Sequence, residues 1–402
     1  MERSASGPPQ ELAQVARIFA ALGMYPVGFY DLREAARSAV PVVSTAFRPI
    51  DGDELARNPF RVFTSMLAVD DERFFDDDLR ARLRNFLHSR ELFPPALLEL
   101  ASRAEAAGGL LSDEAELFLQ HAVGAFKLSP QPVDRSWYEE LERVSAVAAD
   151  IGGVRNTHIN HLTPRVLDID ELYRRMNDRG ITMIDAIQGP PRWQGPDVLL
   201  RQTSFKALAE PRLMRAQDGS VSQGTLRVRF GEVEARGIAL TSSGRARYDA
   251  LLVETDRRKA DAPNVDRDAI ARQVWSEGFP NNEQTLDDEG LGFFAYQLAP
   301  DRPVGRERPP ASIRGLREAG WVRAEPIVYE DFLPRSAAGI FQSNLTGEGS
   351  RDANQAGATY DMNWMAAAID RPVHDPFELY EQQRIASVQA IAQSLDLAGA
   401  IS

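Results

Sequence analysis

With 402 residues the chain is too long for one small core and fits packed units with helical additions. A net charge of −13 argues against a nucleic-acid partner, and the lack of cysteine excludes disulfides, thiolate nucleophiles, Cys-ligated zinc and iron–sulfur clusters, leaving His, Asp and Glu for any metal. No stretch approaches the roughly 18 apolar residues of a bilayer span, and the first nine residues hold no apolar leader core, so a cytoplasmic protein with no membrane partner is expected.

In chain order, Pro8 and Pro9 suit a helix start, and Leu12, Val15, Ile18, Phe19 and Leu22 recur at helical spacing up to Gly23. Strand-like runs follow at 24–30, 41–48 and 60–65. The strand that should open this set is expected to be missing or lost in the first few residues. Residues 79–86, 96–107, 113–126 and 137–149 read as helices, punctuated afterwards by Gly152 and Gly153.

From residue 157 the plan repeats. A strand at 157–168 precedes a helix capped by Asp170, which runs through Leu172, Tyr173 and Met176 to Gly180. Strands are predicted at 181–187, 198–206 and 226–232, and Thr45-Ala46-Phe47-Arg48 is answered by Thr203-Ser204-Phe205-Lys206. Strand, helix and three strands, given twice, predict an α+β chain of two βαβββ modules whose sheets curve around a shared cavity. The expected parts are a first module at 1–70, a helical insert at 71–152, a second module with a helical insertion at 153–345, and a helical segment at 346–402. A late strand at 325–329 and a closing helix at 376–395 complete the reading.

Two of the five histidines, His158 and His161, lie in the strand that opens the repeat and point to opposite faces. A lone strand histidine is more often structural than a ligand. Glu232 and Glu234 share the parity of Phe230, so they face one way: inward, where a carboxylate must be paired or metal-bound, or out to water. His161, Glu232 and one residue from the start of the first module would make the facial His/carboxylate set that suits non-haem Fe(II). Ser65, the repeat's counterpart of Glu232, is a poor ligand, and Asp168 and Glu330 are spare carboxylates. Arg48, Arg61, Arg201 and Lys206 are candidates for an acidic substrate, or else structural ion pairs and exposed strand faces.

Several segments together resemble the 2-oxoadipate dioxygenase/decarboxylase family: Met24-Tyr25-Pro26-Val27-Gly28-Phe29-Tyr30, Asn58-Pro59-Phe60-Arg61-Val62-Phe63, His158-Ile159-Asn160-His161-Leu162-Thr163-Pro164-Arg165, Arg229-Phe230-Gly231-Glu232 and Val328-Tyr329-Glu330-Asp331-Phe332-Leu333-Pro334. The resemblance covers nearly the whole chain in order. It implies a vicinal-oxygen-chelate-like fold holding one Fe(II). It implies oxidation of a small 2-oxo dicarboxylic acid, 2-oxoadipate, by O2 to 2-hydroxyglutarate and CO2, late in lysine breakdown. His161 and Glu232 are then metal ligands, and Arg335, beside Ser336, touches substrate where many members carry Val. Members open with Arg-His-Gly-Ala-Ile-Arg, whose His completes the metal site and whose Arg grips substrate; gapless extension places these at Met1 and Ala5, which match neither. Either the true start lies upstream or the chain is a degenerate member, a metal-free binding or scaffold protein. A lyase or isomerase using Mn(II) or Zn(II) on the same fold is a further alternative.

Overall fold

The computed structural model describes residues 2–34, 39–159, 163–206, 208–229, 231–303, 308–333, 357 and 359–397, and for 2–6, 208–209 and 227–229 the backbone alone. By contacts the chain divides into two units, the first comprising Met1–Gln188, Gln202–Glu234 and Asp331–His374, the second Gly189–Arg201, Ala235–Glu330 and Asp375–Ser402.

In the first unit, β1 (Glu2–Ser6), α1 (Pro9–Ala20), β2 (Tyr25–Asp31), β3 (Val42–Arg48), α2 (Gly52–Arg57) and β4 (Val62–Leu67) form a sheet of order β1-β4-β3-β2. The opening strand expected to be missing is therefore present, parallel to β4 from Glu2↔Val62 to Ser6↔Met66. All positions of β3 and β4 are buried, because the sheet is covered on both faces. Alternate residues feed opposite cores: Phe47 and Val62 pack with Leu12, Phe19 and Phe93, while Ala46 and Phe63 pack with Tyr30, Leu83 and Leu141. Leu22, assigned to the apolar stripe of α1, falls past its end and is 40% exposed.

Helices α3 (Asp77–His88), α4 (Pro95–Ala107) and α5 (Ser112–Ala125) follow, then β5 (Val133–Asp134). The helix expected at 137–149 is two, α6 (Arg135–Val144) and α7 (Ala146–Gly152). Ser145 breaks it with extended backbone, φ −168° and ψ 139°, and its hydroxyl accepts from Val147 N.

The repeat is present with shifted boundaries. Helix α8 (Ile169–Asp178) is capped by Asp168, not Asp170, through Glu171 N at 2.9 Å. The expected strand 181–187 makes isolated bridges only, Met183↔Phe205 and Gln188↔Gln202, among the described residues. Strand β6 (Leu200–Ser204) pairs with β9 (Glu232–Arg236), and Arg165 bridges Glu234 in parallel. Between these strands a hairpin, β7 (Leu208–Arg215) and β8 (Val221–Arg229), joins β5 in a separate sheet. The single strand expected at 226–232 is accordingly split. Gly231 stands at the break, where a Cβ would lie 2.1 Å from the Phe205 ring.

The first unit also holds α13 (Met362–Ile369), packed near α1. In the second unit, α9 (Ser242–Asp261), α10 (Arg267–Gly278) and α11 (Glu283–Asp288) enclose Trp275, fully buried among Trp193, Tyr248 and Phe279. A hairpin of β10 (Phe294–Leu298) and β11 (Val322–Pro326), with α12 (Ile313–Glu318) between, packs against the closing helix α14 (Pro376–Ser394). The late strand lies at 322–326 rather than 325–329. No helix among the described residues is long and apolar enough to cross a membrane.

Candidate functional site

Strand β9 decides which way its carboxylates point. Glu232 is 1% and Glu234 0% exposed, while Val233 and Ala235 between and beyond them are half-buried. The strand turns its acidic face inward, so the solvated-face reading is wrong. Phe230 lies outside the described residues.

The two carboxylates meet different partners. Glu234 Oε1 accepts from Arg61 NH2 at 2.5 Å, an ion pair with both side chains buried. Glu232 Oε2 accepts from the Thr163 hydroxyl at 3.2 Å. Backbone pairing sets up this second contact, since Glu234 N donates to Pro164 O at 3.1 Å and Val166 N donates to Glu234 O at 2.9 Å. The chain immediately after the histidine pair therefore runs beside Glu232. His161 itself lies outside the described residues. His158 is 3% exposed with Nε2 3.3 Å from Asp150 Oδ1 on α7, so this histidine has the structural placement.

The donor chemistry at Glu232 fits a hard divalent cation, namely a buried carboxylate oriented by a neutral hydroxyl. Glu234 and Asp331 are each matched by a guanidinium. Among the described residues no group of three or more His, Asp or Glu stands close enough to hold a metal, and His161 is not one of those residues. Asp168 caps α8 with its carboxylate, and Ser65 Oγ lies 2.9 Å from Ser44 Oγ. Glu330 belongs to the second unit, its N–H donating to the Tyr380 hydroxyl.

The candidate cations are placed as follows. Arg48 is 2% exposed and grips Asp331 with two nitrogens, at 2.9 and 3.1 Å, while donating to Pro49 O. Lys206 is solvent-facing, 3.4 Å from the exposed Asp185. Arg201 lies in the second unit, where its Nε donates to Pro190 O at 3.0 Å. Arg335 and Ser336 lie outside the described residues. The sequence reading missed Thr163 and Asp331 as partners. Each stands in a quoted family segment, but nothing in its spacing named the residue it would meet.

A family model described as 2-oxoadipate dioxygenase/decarboxylase matches residues 3–344. A Mycobacterium tuberculosis (strain ATCC 25618 / H37Rv) protein of that name is 56% identical over 380 residues, 93% of this chain and 81% of the relative. An Escherichia coli (strain K12) protein of the same name is 42% identical over 383 residues, 94% of this chain and 81% of that one. The crystal structure of a Pseudomonas putida hydroxyglutarate synthase in complex with 2-oxoadipate is 38% identical, with a TM-score of 0.81 over 98% of this chain and 85% of that one.

Proposed function

The chain belongs to the 2-oxoadipate dioxygenase/decarboxylase family and is an oxidoreductase, and we propose that it converts 2-oxoadipate and O2 into 2-hydroxyglutarate and CO2 with Fe(II) held by His161 and Glu232. The observation that carries this reading is the near full-length likeness to the synthase solved with 2-oxoadipate. On this reading the two β-α-β-β-β sets are vicinal-oxygen-chelate-like modules around the metal cavity, and the reaction is a late step of lysine breakdown in the cytoplasm.

The atoms balance without an external reductant or second oxo acid. The bond between C1 and C2 breaks and C1 leaves as CO2. One oxygen of O2 enters the new carboxylate at C2, and the other enters the hydroxyl on C3. A bound Fe(II) supplies the Lewis-acid and redox chemistry that O2 requires. The protein's part is orientation and dryness. Thr163 fixes the Glu232 carboxylate by its hydrogen bond. Arg61 neutralises Glu234, the second buried acid of the strand. Arg48 works at one remove. Its grip on Asp331 anchors the chain that leads into Arg335 and Ser336, the residues we assign to substrate. Arg48 is thus a positioning residue, and Lys206, exposed beside Asp185, is left out of the substrate contacts.

The test is product analysis under 18O2, with Fe(II) and 2-oxoadipate supplied to the full chain. The expected product is 2-hydroxyglutarate carrying two labelled atoms, one in the hydroxyl and one in a carboxylate. Unchanged 2-oxoadipate, or glutarate in place of 2-hydroxyglutarate, overturns the reading.

A further inference from the structure

A cavity lined by basic residues stands apart from Glu232 in the first unit. Where β5, the α6 start, the 153–156 segment and the β7–β8 hairpin meet, the chain encloses a cavity of 240 Å³. Neither Glu232, Glu234 nor Thr163 lines it. Three arginines, Arg155, Arg212 and Arg215, are among its lining residues, in a chain with 59 acidic and 46 basic residues. The lining carboxylate that answers them, Asp134, already accepts from Trp137 N at 3.0 Å to cap α6.

The state of each arginine supports an open valence. Arg155 rests over the Phe86 ring at 5.4 Å, and neither it nor Arg215 has a carboxylate partner among the described residues. Arg212 reaches Glu210 at a long 3.5 Å and its own neighbour's carbonyl, Pro211 O, at 2.8 Å. Its Nε is buried and meets no acceptor among the described residues, a deficit that a bound anion would remove. Phe86 and Trp137 give the cavity an apolar wall, and its volume is below the roughly 300–1,000 Å³ of drug-sized sites.

We propose that this cavity binds a small dicarboxylic acid, the apolar stem lying on Phe86 and Trp137 and the carboxylates meeting Arg155, Arg212 and Arg215. A guanidinium set prefers planar carboxylates, which it contacts through two nitrogens at once. The inference does not depend on the reaction proposed above. Substrate, product or an unrelated organic acid shares the recognised chemistry, so the probe is glutarate, which lacks the 2-oxo group.

Calorimetric titration of the full chain with glutarate is expected to show binding that weakens at least tenfold in Arg212→Gln and in Arg215→Gln. Arg215 is exposed, so the second variant tests the site even where the first disturbs folding. Glu232→Ala should leave this binding within twofold, and both arginine variants should keep the wild-type rate with 2-oxoadipate at low substrate. Competition against glutarate by 2-oxoadipate and by 2-hydroxyglutarate identifies which of them also occupies the site. Glutarate binding that is absent, unchanged in both arginine variants, or lost in Glu232→Ala overturns the proposal. So does inorganic phosphate that displaces glutarate at equal concentration, since the cavity would then be a plain anion site.

Discussion

Replacing Arg61 by Met tests whether the inward face of β9 depends on the Arg61–Glu234 ion pair. The guanidinium is 2% exposed, Glu234 is 0% exposed, and their N–O distance is 2.5 Å, so the substitution strands a carboxylate in a dry core. Breaking a buried pair from one side costs about 3–5 kcal/mol, far more than the pair's own net worth. At roughly 2–4 °C per kcal/mol for a folding unit of this size, the melting temperature should fall by about 6–20 °C. The double variant Arg61→Met/Glu234→Met removes the orphaned charge and should recover at least half of the loss, a coupling that two independent sites would not show. Thermal and urea unfolding by circular dichroism, on wild type, both single variants and the double, give the cycle. A drop below about 1 kcal/mol for Arg61→Met, or a double variant no better than the single, would refute the reasoning.

Other expectations follow from the same geometry. Burial pushes the Asp71 carboxyl up, but hydrogen bonds from Arg73 and Arg33 outweigh this and hold it below its ordinary value. Its stabilisation is therefore fully present above the unfolded Asp value of about 3.9 and is lost as pH falls through the lowered folded value; urea midpoints from pH 6 to 3 should fall more steeply in wild type than in Asp71→Asn. Asp168→Ala removes the α8 cap and should cost about 0.5–2 kcal/mol in urea unfolding, whereas Asp170→Ala should cost less. Gly231→Ala places a Cβ 2.1 Å from the Phe205 ring next to Glu232; turnover should fall at least tenfold, and adding Phe205→Ala should restore part of it. Arg48→Met should raise KM for 2-oxoadipate by more than it lowers kcat if Arg48 acts through the Asp331 segment, with a stability loss of about 3–5 kcal/mol from removing one side of a buried pair.

Much of the frame was legible because it is written in period and punctuation. The proline-led α1, the glycine-terminated helices and the closing helix, found from Pro376 as expected and ending one residue early, all follow from local rules. The repeat marked the succession of elements along the chain before any pairing was known. Failures cluster where tertiary contact overrides local pattern. Ser145 sits inside an otherwise continuous helical signal, and its break appears only through the extended backbone and its own cap. Strand 226–232 reads as one alternating run, yet the chain turns at Gly231 against Phe205. Five residues at the N-terminus are too few for a periodic signal, so β1 is recognisable by its pairing with β4.

At the site, parity told that Glu232 and Glu234 share a face but carries no sign, and only burial chose the inward one. Which cation would answer which acid was invisible, because Arg61 and Glu234, and Arg48 and Asp331, are joined across long stretches of chain. The same distance hid the arginine cavity, whose members come from segments that share no motif.

Whether Glu232 is a metal ligand rather than a structural acid is answered by oxygen consumption in the presence of Fe(II). Wild-type chain given Fe(II) and 2-oxoadipate should take up one O2 per 2-oxoadipate consumed, and Glu232→Gln should lose that uptake at least a hundredfold while unfolding at nearly the same urea concentration. Undiminished uptake in Glu232→Gln, or equal activity with no iron bound, would contradict the account.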